Sequence, residues 1–248
     1  MVEGQYGTTS NLAARGALHA RYATRDWFGW VHERVALRDG EAVLDIGCGA
    51  GWLWDRPGLP EVTLTLADRS PAMVEAALGR AQVAEKTGAV ADAEALGFAA
   101  GQFDAILALH MAYHLAEPAE ALAQMAPLLA EGGRLALSVN ATGNLGALWE
   151  IAAECLGLPP MDPSVAVFSD IAAEAALVAA FGQVERHDYA DLYVVSEPEP
   201  LVAYLSSLPE AQEAGADATP AIRAAVDAAL ERGPLELPRR SALFVARG

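Results

Sequence analysis

The run Ala42 to Ile46 (AVLDI) passes directly into the glycine cluster GCGAG, and this junction constrains the fold more than any other part of the chain. A short aliphatic run that ends in glycines signals a buried strand followed by a tight backbone loop. Gly47, Gly49 and Gly51 let the chain turn sharply and come within contact of a ligand, and a helix expected next would present its free N–H groups there. A nucleotide-like ligand suits such a loop. The spacing is GxGxG, so the dinucleotide fingerprint GxGxxG is not met, and Trp52 stands where its last glycine would fall.

Comparable signals recur along the chain. Val62 to Asp68 reads as a second strand, followed by a helix in which Ser70 can cap, Pro71 suits the first position and Met73, Ala77 and Leu78 form an apolar face. A third strand is expected at Gly88 to Ala91, ending before Asp92, and a fourth at Phe103 to Leu109. A helix over Ala119 to Leu129 is expected to stop at Gly132-Gly133, ahead of a fifth strand from Arg134 to Asn140. Helices over Asn11 to Leu37, broken at Thr24 to Asp26, precede this core. After it come a helix at Phe168 to Phe181, strands at Val184 to Tyr189 and Leu192 to Ser196, helices at Leu201 to Leu208 and Pro220 to Arg232, and a last strand at Ser241 to Ala246. Pro209 to Thr219, polar and acidic, is expected to be a flexible connection. Strands alternating with helices imply right-handed crossovers and a mostly parallel sheet covered on both faces.

Composition narrows the function. With 248 residues and 53% hydrophobic side chains, the chain suits one α/β domain. Its formal charge is −17 and its 16 basic residues include a single lysine, Lys86. Without a dense basic run it lacks the footprint needed to neutralise several phosphates, so nucleic acid is not an expected partner. Two cysteines are too few for a disulfide framework, MVEGQYGTTS is not a secretory signal, and the longest uncharged apolar stretch, Ala105 to Ala116, is too short to cross a bilayer. The expectation is a cytoplasmic protein with no membrane partner.

Asp45, two positions before Gly47, completes a pattern that resembles motif I of the class I S-adenosylmethionine-dependent methyltransferases. Asp68, 17 residues past Gly51, matches the acid that in open α/β sheets takes two ribose hydroxyls. Asp92-Ala93 resembles the family position that pairs with adenine, and FDAILALHMAYHL followed by LLAEGGRLALSV resembles its fourth strand, post-strand loop and turn into the fifth. These matches span Glu41 to Asn140. YGTTSNLAARGALHARYATRDWFGWV also resembles the N-terminal helical segment of a bacterial small-molecule subgroup, where a Tyr or Arg reaches the methionine carboxylate, and EPEPLVAYLSSL fits the acceptor side of that subgroup.

The resemblance implies a Rossmann-like α/β fold with seven strands in the order 3-2-1-4-5-7-6, the last antiparallel, built as one domain over residues 1–248. Residues 1–38 would form a helical cap, 41–140 the cofactor half and 141–248 the acceptor half, with a helical insertion at about 197–233. S-adenosylmethionine would be the cofactor, with contacts from Tyr6, Arg15, Arg21, Asp45, Gly47, Cys48, Gly49, Asp68, Arg69, Met73, Asp92, Ala93 and Leu109. The acceptor would be a small molecule of bacterial secondary metabolism, offering O, N or C, and the protein a monomer or homodimer.

His110 lies at the end of the fourth strand and can serve as general base for the acceptor. Tyr113, Asn140, Asn144 and Trp149, with His110, are placed on loops at the carboxyl edge as substrate-lining candidates. His110 and His114 share helical spacing, but Met111 stands where a zinc motif needs Glu, and no third ligand is evident, so no metal is expected. Cys48 has no activating base. Two alternatives use the same motifs: a protein that binds the cofactor without transferring methyl, and a NAD-dependent oxidoreductase. The latter is disfavoured because Gln82, not Tyr, stands four residues before Lys86.

Overall fold

The computed structural model of the protein describes residues 9–248, with side chains from Ala14 onward. The elements run α1 (Thr9–Tyr22), α2 (Trp27–Val35), β1 (Ala42–Ile46), β2 (Thr63–Asp68), α3 (Pro71–Arg80), β3 (Glu85–Val90), β4 (Phe103–Leu109), α4 (Pro118–Met125) and β5 (Leu129–Asn140). They continue through α5 (Gly146–Leu156), α6 (Pro163–Val167), α7 (Asp170–Phe181), β6 (Gln183–Val195), α8 (Pro198–Ser206), α9 (Pro209–Ala214), α10 (Ala218–Leu230) and β7 (Leu235–Arg247). The seven strands lie in the order β3-β2-β1-β4-β5-β7-β6. β1 to β5 pair in parallel, and β7 runs antiparallel to β5.

The described chain divides into two compact units. A sheet unit comprises Trp27–Asn140, Val167–Asp188 and Ser241–Gly248; a helical unit comprises the described part of Met1–Asp26, Ala141–Ala166 and Tyr189–Arg240. In the sheet unit β1 and β4 are central and almost continuously buried, which is why both read as unbroken aliphatic runs. Leu44, Ile46, Ile106 and Leu137 join Leu122, Met125 and Leu177 of α4 and α7 in one core. In the helical unit Leu148, Leu201, Leu205, Ile222 and Leu237 form a second core, with Leu18 of α1. Among the described residues no helix is long and apolar enough to cross a membrane.

Several local expectations need correction. β3 begins at Glu85, three residues earlier than expected. It is an edge strand paired only with β2, so its polar residues face water and hide the strand period. Gly132-Gly133 does not stop a helix: α4 ends at Met125 and the glycines lie inside β5. Phe103 pairs with Leu129 and Ala105 with Arg134, so the intervening residues of β5 bulge out. A Cβ on Gly133 would lie 2.9 Å from the Ala130 oxygen, and only glycine fits the bulge.

The stretch Pro209 to Thr219 is helical throughout, as α9, a single 3-10 turn and the start of α10. Its buried Ala211 and Ala218 give it a place in the core that its polar composition masks. The two strands expected over Val184 to Ser196 are one, β6, and the last strand starts at Leu235. α5 and α6 were not expected. Consequently Trp149 lies on a helix and Asn140 within β5, where it pairs with Ser241, and neither is on a loop.

Candidate functional site

In the sheet unit β1 delivers the chain into the glycine loop. The N–H groups of Gly47 and Cys48 both donate to the Ala67 oxygen at the end of β2, at 2.8 and 3.1 Å. Gly47 has φ +69°, and a Cβ there would lie 2.7 Å from the Met111 side chain. Glycine is therefore required by conformation and by space. Gly49 has φ +53°, but an added Cβ would meet nothing within 4 Å among the described residues, so this face of the loop is open there.

The expected helix after the loop is absent. Gly51 leads into one 3-10 turn, Trp52–Trp54, whose purpose is packing: Trp54 is fully buried and its indole Nε1 donates to Asp45 Oδ2 at 2.7 Å. Burial pushes the Asp45 carboxyl up to about 7, opposed by the Trp54 hydrogen bond and reinforced by the negative charge of Asp68. The Cys48 thiol is likewise pushed up by burial and by Asp45 and Asp68, so it stays protonated and is no nucleophile. His32 packs its ring edge-on to Trp54 with centroids 5.8 Å apart, and its Nε2 lies 3.0 Å from the Leu53 oxygen, which fixes the turn from the other side.

Asp68 closes the loop from β2. Its Oδ2 accepts from Gly49 N–H at 3.0 Å and its Oδ1 from Ser70 N–H at 2.9 Å. Each oxygen has a second lone pair for another donor. Ala91 N–H donates to the Asp68 backbone oxygen at 3.1 Å, which brings the chain after β3 past Asp68 to Asp92. Asp92 is exposed and its Oδ1 accepts from Glu94 N–H at 3.0 Å, while Ala93 is buried. Met73 of α3 is buried and Arg69 exposed.

His110 follows β4 with φ +51°, a left-handed conformation rarely adopted by a residue with a Cβ. Its N–H is held by Ser138 of β5, donating to the backbone oxygen at 2.9 Å and to Oγ at 3.1 Å. Its ring lies 5.2 Å from that of Trp27 and 6.5 Å from that of Tyr113. Strain of this kind costs about 1–3 kcal/mol and concentrates at functional sites. Sequence reasoning missed Ser138, Trp54 and Met111. Ser138, a hydroxyl at a fully buried strand position, was the one visible signal.

Asp45, Gly47, Cys48, Gly49, Asp68, Asp92, Ala93, Leu109 and His110 thus follow or close β1 to β4 at their carboxyl ends in one unit. Arg15, Arg21 and Trp149 belong to the helical unit, where Arg21 pairs with Glu197 in an exposed ion pair. Tyr6 lies outside the described residues.

The sequence model of a family described as a methyltransferase domain matches residues 44–137. Residues 44–137 are a methyltransferase domain.

The methyltransferase domain has curated relatives. A malonyl-[acyl-carrier protein] O-methyltransferase of Hahella chejuensis is 35% identical over 105 residues, 42% of this chain and 38% of that protein. A ubiquinone biosynthesis O-methyltransferase of Xanthomonas campestris pv. campestris is 34% identical over 143 residues, 55% of this chain and 58% of its own. The chain thus matches between about two fifths and three fifths of the length of these relatives. Among solved structures, phosphoethanolamine N-methyltransferase 2 of Haemonchus contortus, in complexes with S-adenosylhomocysteine and with S-adenosylmethionine, superposes with a TM-score of 0.62 at 16% identity. That likeness covers 99% of this chain and 58% of the other and concerns the fold. Of the expected site residues, Asp45, Gly47, Cys48, Gly49, Asp68, Arg69, Met73, Asp92, Ala93, Leu109, His110 and Tyr113 fall inside the matched domain. Arg15, Arg21, Asn140 and Trp149 fall outside it.

Proposed function

We propose that the protein transfers a methyl group from S-adenosylmethionine to an oxygen of a small molecule in bacterial biosynthesis. The observation that carries this reading is the open face over Gly49 beside the Asp68 carboxylate, within the methyltransferase domain. The two O-methyltransferase relatives support oxygen as the acceptor atom.

The residues present fit the cofactor. The cofactor has no phosphate, so it does not need the helix N-terminus that the loop lacks. Asp68, already fixed by Gly49 and Ser70, has lone pairs left for two ribose hydroxyls, and Asp92 with the Ala93 N–H suits the donor and acceptor edge of adenine. Gly49, with nothing described within 4 Å of where a Cβ would stand, lets a ligand approach the backbone.

The bound cofactor supplies an electrophilic methyl group on a sulfonium, so the protein's task is to align the acceptor oxygen and take its proton. His110, held by Ser138 and flanked by Trp27 and Tyr113, is the residue proposed to take that proton.

Calorimetry with S-adenosylmethionine, S-adenosylhomocysteine and NAD tests the reading. Binding of the first two is expected, and absence of binding by both refutes it. A chain that binds both yet transfers no labelled methyl to any of a panel of hydroxyl and carboxylic acid acceptors would favour the non-methylating alternative.

A further inference from the structure

On α7 the face turned to water is as apolar as the face turned to the core. Ala173, Leu177 and Phe181, at helical spacing, are buried in the core of the sheet unit. On the other side Ile171 is 70% exposed and Val178 51%, with Ala172, Ala175 and Ala179 exposed beside them. At about 3.6 residues per turn these residues form one stripe centred on Ala175, and it carries no polar side chain. The two charged residues of α7, Asp170 and Glu174, lie off the stripe, where Arg186 binds them at 2.7 and 3.2 Å. A surface helix presents polar residues to water, and one that is apolar all round belongs under a cover.

The stripe is complementary to itself. When a second α7 is laid antiparallel about a two-fold axis through Ala175, residues equally far before and after that position come opposite each other. Ile171 then meets the second copy's Ala179, and Val178 meets the second copy's Ala172. Each large side chain is set against a small one, and Ala175 against its own counterpart lets the backbones come close. The same register suits a chain with a formal charge of −17. Asp170 comes level with the second copy's Ala180 and Glu174 with its Ala176, so no carboxylate of α7 faces another. The N-terminal end of each helix also lies beside the C-terminal end of the other, which sets opposite ends of the two helix dipoles together.

We propose that α7 is a self-association surface, through which two copies of this chain pair as an antiparallel dimer. The area of the stripe sets the strength. α7 has 12 residues and is about 18 Å long, and one such helix face falls short of the roughly 800 Å² that each partner gives a tight interface. The pairing is therefore weak and reversible. It is independent of the proposed methyl transfer.

Sedimentation equilibrium of the full-length protein from about 5 to about 500 µM tests the proposal. A monomer–dimer equilibrium is expected within that range. Ile171→Lys and Ala179→Glu change exposed side chains, so both variants are expected to keep the wild-type melting temperature, and each should weaken association by about tenfold or more. Because position 171 of one copy faces position 179 of the other, an equimolar mixture of the two variants is expected to recover association as a heterodimer. A monomer throughout the range gives the stripe to a different occupant and overturns the proposal. A dimer that either variant leaves intact lies on another surface and overturns it too. Loss of association in both variants without recovery in the mixture overturns the two-fold register.

Discussion

Asp68 and Gly49 are joined by a 3.0 Å hydrogen bond from the loop N–H to the carboxylate, so the acid proposed to hold the ribose also shapes the loop beside it. Asp68→Ala is expected to lower S-adenosylhomocysteine affinity at least tenfold by calorimetry. It should also cost about 1 kcal/mol of stability in denaturant unfolding, from the hydrogen bonds to Gly49 and Ser70. Unchanged affinity would remove the ribose role.

Gly47 and Gly49 give opposite controls. Gly47→Ala meets Met111 at 2.7 Å and a left-handed φ, so it should lower the melting temperature and abolish binding together. Gly49→Ala meets no described protein atom within 4 Å and carries only the conformational strain of φ +53°. That strain is about 1 kcal/mol. A folded Gly49→Ala protein with at least tenfold weaker cofactor binding is the expected result, and wild-type affinity would show that the open face is not a ligand face.

The Asp45 and Trp54 pair makes stability depend on pH. Asp45 has its folded value raised from 3.8 to about 7, so its contribution is fully present below pH 3.8 and is lost as pH rises through about 7. Asp45→Asn keeps an acceptor for the Trp54 indole and removes the titration. Between pH 5 and 8 the melting temperature of the wild type is expected to fall relative to that of Asp45→Asn. Parallel curves would exclude the effect.

Arg134 fastens α2 to the sheet within the sheet unit, donating to the Val35 and Ala36 oxygens and to both oxygens of Glu41 at 2.8 to 2.9 Å. Arg134→Met leaves a half-buried carboxylate without its partner and should destabilise by about 1.5–3 kcal/mol in denaturant unfolding. Glu41→Gln with Arg134→Met should cost less than Arg134→Met alone. If the double variant is no more stable than the single, the loss does not come from a stranded charge.

His110→Ala should lower the methyl-transfer rate at least tenfold with little change in S-adenosylhomocysteine affinity, measured by labelled-methyl assay and calorimetry. Transfer at the wild-type rate would remove His110 from proton transfer.

The central strands were legible because their signal is local: β1 and β4 are buried on both faces, and AVLDI and FDAILAL announce it. The glycine loop and the acids at Asp68 and Asp92 were legible through spacing and family resemblance. Edge strand β3 was blurred by solvent-facing polar residues, and α9 by a composition suited equally to coil or helix.

The amino-acid sequence by itself determined the five parallel strands and the position of the glycine loop, because burial period and turn chemistry act within a few residues. Tertiary structure alone decided the conformation of the chain just past the glycine loop, where Trp54 turns inward to Asp45 and displaces the expected helix. It alone brought Tyr193 to His19 and Arg239 to Asn144, partners 174 and 95 residues apart. No local pattern encodes such pairs, since each is chosen by packing and by the need of a buried polar group for a partner from anywhere in the chain.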